Sequence, residues 1–295
     1  MLGDATMING AAVAGVMTKA MIRDVDNLRK QGITPGLAVV LVGDDPASEV
    51  YVRSKIRKTK AVGMNSFCHR LPSDTSQSAL LDLIATLNAD PDIHGILVQL
   101  PLPLHIQRDA VLDAISPEKD VDGFHVLNAG KLAVGRTDGM IPCTPRGCMI
   151  LLRQVLPSLA GLHAVVIGCS NIVGRPMARL LLNEGCTVVV THLQTRDVAA
   201  EARRADILIV AAGHPGLVRS NWVKPGAVVI DVGINRITTP NGTTIVGDVA
   251  FDEVADHAKA ITPVPGGVGP MTIACLLQNT LQAAQNTIIT KALVS

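Results

Sequence analysis

The chain has 295 residues, 48% of them hydrophobic and 17% charged, with a formal net charge of +1. That length accommodates two domains with sizeable cores, and the near-neutral charge gives no electrostatic case for nucleic acid as a partner. No apolar run approaches the roughly 20 residues that cross a bilayer, and the opening Met1-Leu-Gly-Asp-Ala-Thr6 lacks the basic and apolar regions of a signal peptide, so no membrane role is expected.

In chain order, Leu37–Gly43 (LAVVLVG) reads as the first buried strand. Asp44-Asp-Pro46 then starts a helix over 46–62, with an acidic cap and a proline in its first turn. A helix over 76–88, a strand at Gly95–Gln99 (GILVQ) and a helix over 106–115 follow. After a helical stretch from Pro145 to Gln154 come strands at Ala164–Gly168, Cys186–Thr191, Ile207–Ala212 and Ala227–Asp231. Helices over 175–184 and 197–204 separate the first three of these. Asn241-Gly242, between Ile237 and Ile245, signals a hairpin. A last helix runs from Met271 to about Asn286. Continuous Val/Ile runs suit parallel strands covered on both faces, and strand–helix alternation predicts an α/β fold with doubly wound sheets. The two strand groups place a domain boundary near 142, giving 1–142 plus 275–295 as one domain and 143–274 as the other.

Six cysteines, at 68, 143, 148, 169, 186 and 275, form no C-x-x-C pair. Neither a metal site nor a disulfide framework is predicted, and reduced thiols in a cytoplasm fit best. Aromatic residues are few, with a single tyrosine, Tyr51.

Ala164-Val-Val-Ile-Gly168-Cys169-Ser170-Asn-Ile-Val-Gly174-Arg175-Pro176 is strand, glycine turn and helix, the context for a pyrophosphate at a helix N-terminus. Ser170 stands where G-x-G-x-x-G has its middle glycine, and Gly174 comes one residue late. A structural turn is the plainer reading, but three further Val/Ile strands favour a dinucleotide. NAD sites usually place an acid after the second strand. Here that end reads Thr191-His-Leu-Gln-Thr-Arg196, with no acid, and Arg175 and Arg196 nearby. NADP is therefore expected over NAD, with His192 as a structural or exposed residue.

On the helix over 46–62, Val52, Ile56 and Thr59 share one face, expected to be buried, and Ser48, Tyr51 and Lys55 share another. A tyrosine beside a lysine can stack a flat ligand and move a proton on it. A solvated lysine on a basic helix is the alternative. Gln99, the first polar side chain after its strand, is either a ligand contact or a strand-end amide. Of the two carboxylates in Asp120-Val-Asp122-Gly123, Asp120 reads as a turn cap, while Asp122 has the chemistry to hold a guanidine-like ring edge. Ile261–Thr272, with three prolines and three glycines and no charge, is a stiff, shaped loop, suited to ligand binding or to a hinge.

With these motifs assembled, the chain closely resembles the bifunctional methylenetetrahydrofolate dehydrogenase/methenyltetrahydrofolate cyclohydrolase family. The resemblance rests on Tyr51-x-x-x-Lys55, Gly95–Pro103, Lys119–Phe124, Pro142–Pro145, Gly168–Pro176, Asp231–Asn235 and Ile261–Thr272. It implies two α/β domains, a folate-binding N-terminal one and a Rossmann-like NAD(P)-binding one, with an active-site cleft between them and homodimers formed through the nucleotide domains. Lys55 is then the catalytic lysine, Tyr51 stacks on folate, Gln99 supports Lys55 and Asp122 holds the pterin. Ser48, Pro263, Gly266 and Gly267 join the folate site. Gly168, Cys169, Ser170, Gly174, Arg175, Arg196 and Ile234 lie at the dinucleotide. Many members carry Arg at the position of Cys169 and Ser at that of Leu193. The implied function is NADP-linked oxidation of methylenetetrahydrofolate and hydrolysis of the product to 10-formyltetrahydrofolate in one-carbon metabolism, including purine biosynthesis. A folate carrier, or a dehydrogenase without cyclohydrolase activity, are the alternatives.

Overall fold

The computed structural model describes residues 5–239 and 242–294. In chain order the elements are β1 (Thr6–Met7), α1 (Gly10–Lys30), β2 (Gly36–Val42), α2 (Pro46–Ala61), β3 (Asn65–Leu71), α3 (Gln77–Ala89) and β4 (Gly95–Val98). Then follow α4 (Arg108–Ala114), α5 (Val126–Ala133), α6 (Cys143–Val155), β5 (His163–Ile167), α7 (Gly174–Asn183), β6 (Thr187–Thr191), α8 (Val198–Ala202) and β7 (Ile207–Val210). The chain ends with β8 (Val228–Asp231), β9 (Asn235–Thr239), β10 (Gly242–Val246), α9 (Phe251–Val254), β11 (Ala260–Ile261) and α10 (Val268–Val294).

Two compact units emerge. The first comprises Val16–Cys143 with Ile273–Ser295, the second Met1–Gly15 with Thr144–Thr272. The sequence boundaries differ mainly at the N-terminus, which groups with the second unit because β1 pairs with β11. That pairing is two residues long on each side, too short to leave a periodic signal.

In the first unit β3, β2 and β4 form a parallel sheet, extended by a single bridge from Ile96 to Asp120. Every residue of β2 is buried, as expected for a central strand covered on both faces. Its Ala38, Val40 and Val42 pack with Leu80 and Ile84 of α3 and Val111 of α4. The edge strand β3, NSFCHRL, alternates exposed and half-buried residues and escapes a search for apolar runs. Three helices, α1, α5 and the four-residue α9, are likewise absent from the sequence reading. The α1 segment GAAVAGVMTKAMIRDVDNLRK opens with glycine and small residues, which blur its apolar stripe.

The second unit holds a six-stranded parallel sheet in the order β1-β11-β8-β7-β5-β6. One face packs Val165, Leu208, Val210, Val229 and Ile261 against Ala202, Ala205 and Val254. This is the predicted doubly wound α/β architecture. The predicted hairpin exists as β9 and β10, paired antiparallel from Gly242 opposite Thr239; Asn241 lies outside the described residues. The last helix begins at Val268, three residues before the predicted Met271.

Candidate functional site

The chemistry of the first unit gathers where α2 and β4 converge. Asp45 caps α2, its carboxylate accepting the Ser48 amide at 2.8 Å, with Pro46 in the first turn. Three turns on, Lys55 is buried, with only 9% of its surface exposed. Its Nζ donates to Gln99 Oε1 at 2.9 Å, and Gln99 Nε2 donates to the Leu100 carbonyl at 2.7 Å. Gln99 thus satisfies a local backbone carbonyl, as a strand-end amide does, and also holds the Lys55 amine.

The expected faces of α2 need correction. Ser48 and Lys55 are buried together with Val52 and Thr59, whereas Ile56 and Tyr51 are half-buried. Lys55 is therefore not a solvated charge. Burial lowers its pKa from the ordinary lysine value, and the nearby Asp122 carboxylate and Cys143 oppose that shift. Asp122 moves the other way. Burial pushes it up to about 6, against the pull of Lys55, with the Asp120 charge adding to the rise and a hydrogen bond from Cys143 reducing it. Loss of water shifts both groups toward neutrality.

Asp120 is the turn anchor that its sequence context suggests. Its buried carboxylate accepts the amides of Gly123, Phe124 and His125 at 3.1, 3.2 and 2.8 Å and Nδ2 of Asn128 at 2.9 Å. Gly123 has a φ of +77°, and a Cβ there would overlap the backbone of Ile141 and Pro142. Only glycine lets this turn carry Asp122 against the 141–143 segment.

In the second unit β5 is followed directly by Gly168, φ +112°, and the turn into α7. A Cβ on Gly168 would overlap the Ala211 carbonyl, and one on Gly174 the Gly168 carbonyl. Both glycines are thus required by close backbone approach. Ser170 Oγ accepts the Val173 amide at 3.2 Å, so this serine shapes the turn. Ser170, Arg175, Arg196 and Ile234 are exposed and Cys169 half-buried, while Gly174 is buried. After β6, His192 is exposed and its Nδ1 accepts the Gln194 amide at 3.2 Å, a turn residue as anticipated. The first carboxylate beyond β6, Asp197, accepts the Ala200 amide at 2.8 Å as the cap of α8. Leu193 is fully exposed.

Two carboxylates organise the strand ends of this sheet: Asp231, which the sequence reading used only as the edge of a motif, and Asp248, which it missed. Asp231 accepts the amides of Gly233, Asp248 and Val249 at 2.9, 3.0 and 3.0 Å. Burial raises it to about 6, against those three donors. Asp248 accepts the amides of Ala212, Gly213 and His214 at 2.7, 2.8 and 2.9 Å and Asn235 Nδ2 at 2.7 Å. It fixes the loop after β7 and the segment carrying Ile234. Asp231 ends a Val/Ile run in the sequence, a signal that could have marked it; Asp248 has none.

The 261–272 loop is built on the same unit. Gly266, φ +105°, is half-buried and its carbonyl accepts the Ala11 amide at 2.9 Å. Pro263 is half-buried. Gly267 is buried, and a Cβ there would press on Thr262 and Pro263. Gly267 therefore serves loop packing, while Pro263 and Gly266 keep part of their surface exposed. The structure brings Ser48, Tyr51, Lys55, Gln99 and Asp122 into the first unit. Pro263, Gly266, Gly267 and all the dinucleotide candidates fall in the second.

Comparison with known proteins gives this division its meaning. Residues 8–122 match the family described as tetrahydrofolate dehydrogenase/cyclohydrolase, catalytic domain. Residues 142–288 match its NAD(P)-binding domain. The chain is 62% identical to the bifunctional protein FolD of Gluconacetobacter diazotrophicus, over 95% of this chain and 91% of that one. It is 61% identical to its counterpart from Gluconobacter oxydans, over 96% and 93%. Among solved structures, FolD of Campylobacter jejuni superposes with a TM-score of 0.93 at 50% identity, covering 96% of this chain and 99% of that one. The Trypanosoma brucei enzyme, complexed with NADP cofactor and inhibitor, does so with a TM-score of 0.93 at 42% identity, covering 96% and 98%. The Lys55–Gln99 pair, Asp122 and the strand–glycine–helix cradle lie within those two matched regions, and the chain belongs to the tetrahydrofolate dehydrogenase/cyclohydrolase family.

Proposed function

We propose that the first unit holds the folate and performs the proton chemistry, and that the second binds NADP. The protein is a methylenetetrahydrofolate dehydrogenase and methenyltetrahydrofolate cyclohydrolase. The observation that carries the site reading is the buried Lys55 Nζ, hydrogen-bonded to Gln99 with the Asp122 carboxylate nearby.

NADP, when bound, supplies the hydride acceptor. The residues of the second unit fit such a group. Gly168 and Gly174 keep the turn free of side chains, Ser170 offers a hydroxyl, and Arg175 and Arg196 are exposed cations. Asp197 caps α8, accepting the Ala200 amide. With Cys169 and Leu193 lacking charge, Arg175 and Arg196 are the residues left to meet a 2′-phosphate.

Loss of hydride from the folate methylene carbon leaves a delocalised methenyl cation, a step that needs alignment and no base. Tyr51 and Asp122 supply that alignment, the ring by stacking and the carboxylate by accepting from the pterin edge. Water then attacks the methenyl carbon, a ring C–N bond breaks, and a proton is released. Lys55, desolvated and beside a cationic substrate, gives up its own proton readily and can take one from the water. The Gln99 carbonyl accepts from Nζ and so fixes the direction of its lone pair. Homodimers formed through the second unit, work in the cytoplasm and supply to purine biosynthesis complete the proposal and rest on the family resemblance.

The direct test is a spectrophotometric assay with methylenetetrahydrofolate, following methenyl formation and its decay. NADP should give the higher kcat/KM. An equal or better value with NAD would overturn the reading of the β6 terminus. Gly174→Ala should raise the KM for NADP at least about tenfold, the equivalent of ~1.4 kcal/mol, because its Cβ displaces the Gly168 carbonyl. The folate KM should stay within about twofold. Initial rates with either substrate varied decide this, and an unchanged NADP KM would remove the turn from the cofactor site.

A further inference from the structure

We infer that Asn279, on the last helix, is a positioning residue for Asp122, acting with Cys143. The inference rests on the folate reading of Asp122 and extends it to the part of the last helix beyond the Ile261–Thr272 motif.

Asn279 is fully buried in α10, yet its Nδ2 is spent on backbone and sulfur of two other segments. It donates to Val121 O at 2.8 Å and to Ile141 O at 3.0 Å, and lies 3.6 Å from Cys143 Sγ. One amide nitrogen thus ties together the residue before Asp122 and the segment that ends in Cys143. The Cys143 thiol has one proton and two acceptors within reach, Val121 O at 3.2 Å and the Asp122 carboxylate. The two Nδ2 hydrogens go to the two carbonyls, the sulfur is a longer third contact, and the S–H keeps Val121 O and the Asp122 carboxylate as its acceptors. On its other side the same turn is pinned by Asp120 through three amides and Asn128. Asp120 fixes the backbone after Asp122, and Asn279 fixes the backbone before it. A carboxylate that must meet a planar ring edge needs both, since bidentate geometry tolerates little rotation.

The charged or titratable groups acting on Asp122 are Lys55 from α2, Asp120 from its own turn and Cys143 from the start of α6. Asn279 carries no charge, so its removal should act through geometry and through the Cys143 hydrogen bond. That bond favours the ionised carboxylate, and weakening it moves the Asp122 titration upward.

The test uses purified full-length Asn279→Ala, Cys143→Ala and Cys143→Ser, with Asp122→Ala as reference. Folate and NADP KM values are measured across pH 5–9, and melting temperatures are recorded. In Asn279→Ala the folate KM should rise roughly tenfold, with the NADP KM unchanged and the pH midpoint for loss of folate binding moved upward. Cys143→Ala should show a smaller rise in folate KM, and Cys143→Ser, which keeps a donor, should restore the wild-type value. A folded Asn279→Ala with wild-type folate KM and pH midpoint overturns the proposal, as does an equal rise in both KM values. If Asn279→Ala does not fold, the cysteine pair decides. Loss in Ala with rescue in Ser supports the proposal, and two wild-type profiles overturn it. Should Asp122→Ala itself keep the wild-type folate KM, the folate reading of Asp122 fails and the positioning role with it.

Discussion

Lys55→Met separates the two chemical steps. The substitution keeps much of the side-chain length and its apolar stem but removes the amine. Cyclohydrolase activity should fall by at least the ~10²-fold typical of losing a general acid–base group. Dehydrogenase activity should fall much less, since hydride transfer consumes no proton at Nζ. Some loss there is expected because Nζ holds Gln99 Oε1, and the freed amide can turn. In the wild type the cyclohydrolase rate should rise with pH and level off below the ordinary lysine value of 10.5, because burial favours the neutral amine. Both activities measured on a variant with an unchanged melting profile decide the matter. A parallel drop assigns Lys55 to binding or alignment, and no drop removes it from the chemistry.

Asp122→Ala should raise the folate KM about ten- to a hundredfold at pH 8, the equivalent of losing a charge-assisted hydrogen bond of ~1.5–3 kcal/mol. The NADP KM should stay near its wild-type value. The effect carries its own pH signature. Asp122 is pushed up to about 6, so the wild-type carboxylate is ionised at pH 8 and takes up a proton as the pH falls through that value. A protonated acid accepts poorly from a ring edge. The KM of the wild type should therefore climb toward that of the variant on going from pH 7 to pH 5. A ratio of KM values that stays constant over this range would mean that the ionised form is not what binds folate.

The motifs that identify this family are local, and most were legible. Gly168–Pro176 spells a strand–turn–helix cradle without reference to anything distant, and both glycines prove to be needed there. The six Val/Ile runs read as strands were all strands, because a parallel strand buried on both faces leaves an uninterrupted apolar run. The polar edge strand β3 and the two-residue β1 had no such run, and their pairing comes from strands far along the chain. Lys55 illustrates the limit most clearly. Its neighbours Arg53, Arg57 and Lys58 made a solvated charge a reasonable alternative, and all three are exposed. Only Lys55 faces inward, where Gln99, 44 residues away, meets it.

The sequence by itself determined the α/β class, the two-part organisation, the glycine cradle and the identities of the residues available for chemistry. Spacing within one element fixes these through backbone geometry. The tertiary structure alone decided which of those residues lose water. Asp122 and Lys55 acquire shifted proton affinities because the turn, α2 and the start of α6 converge on them. Asp248 and Asn279 gain their tasks from partners up to 36 and 158 residues distant. Burial and electrostatic coupling depend on separation in space, and a linear pattern of residues does not encode that separation.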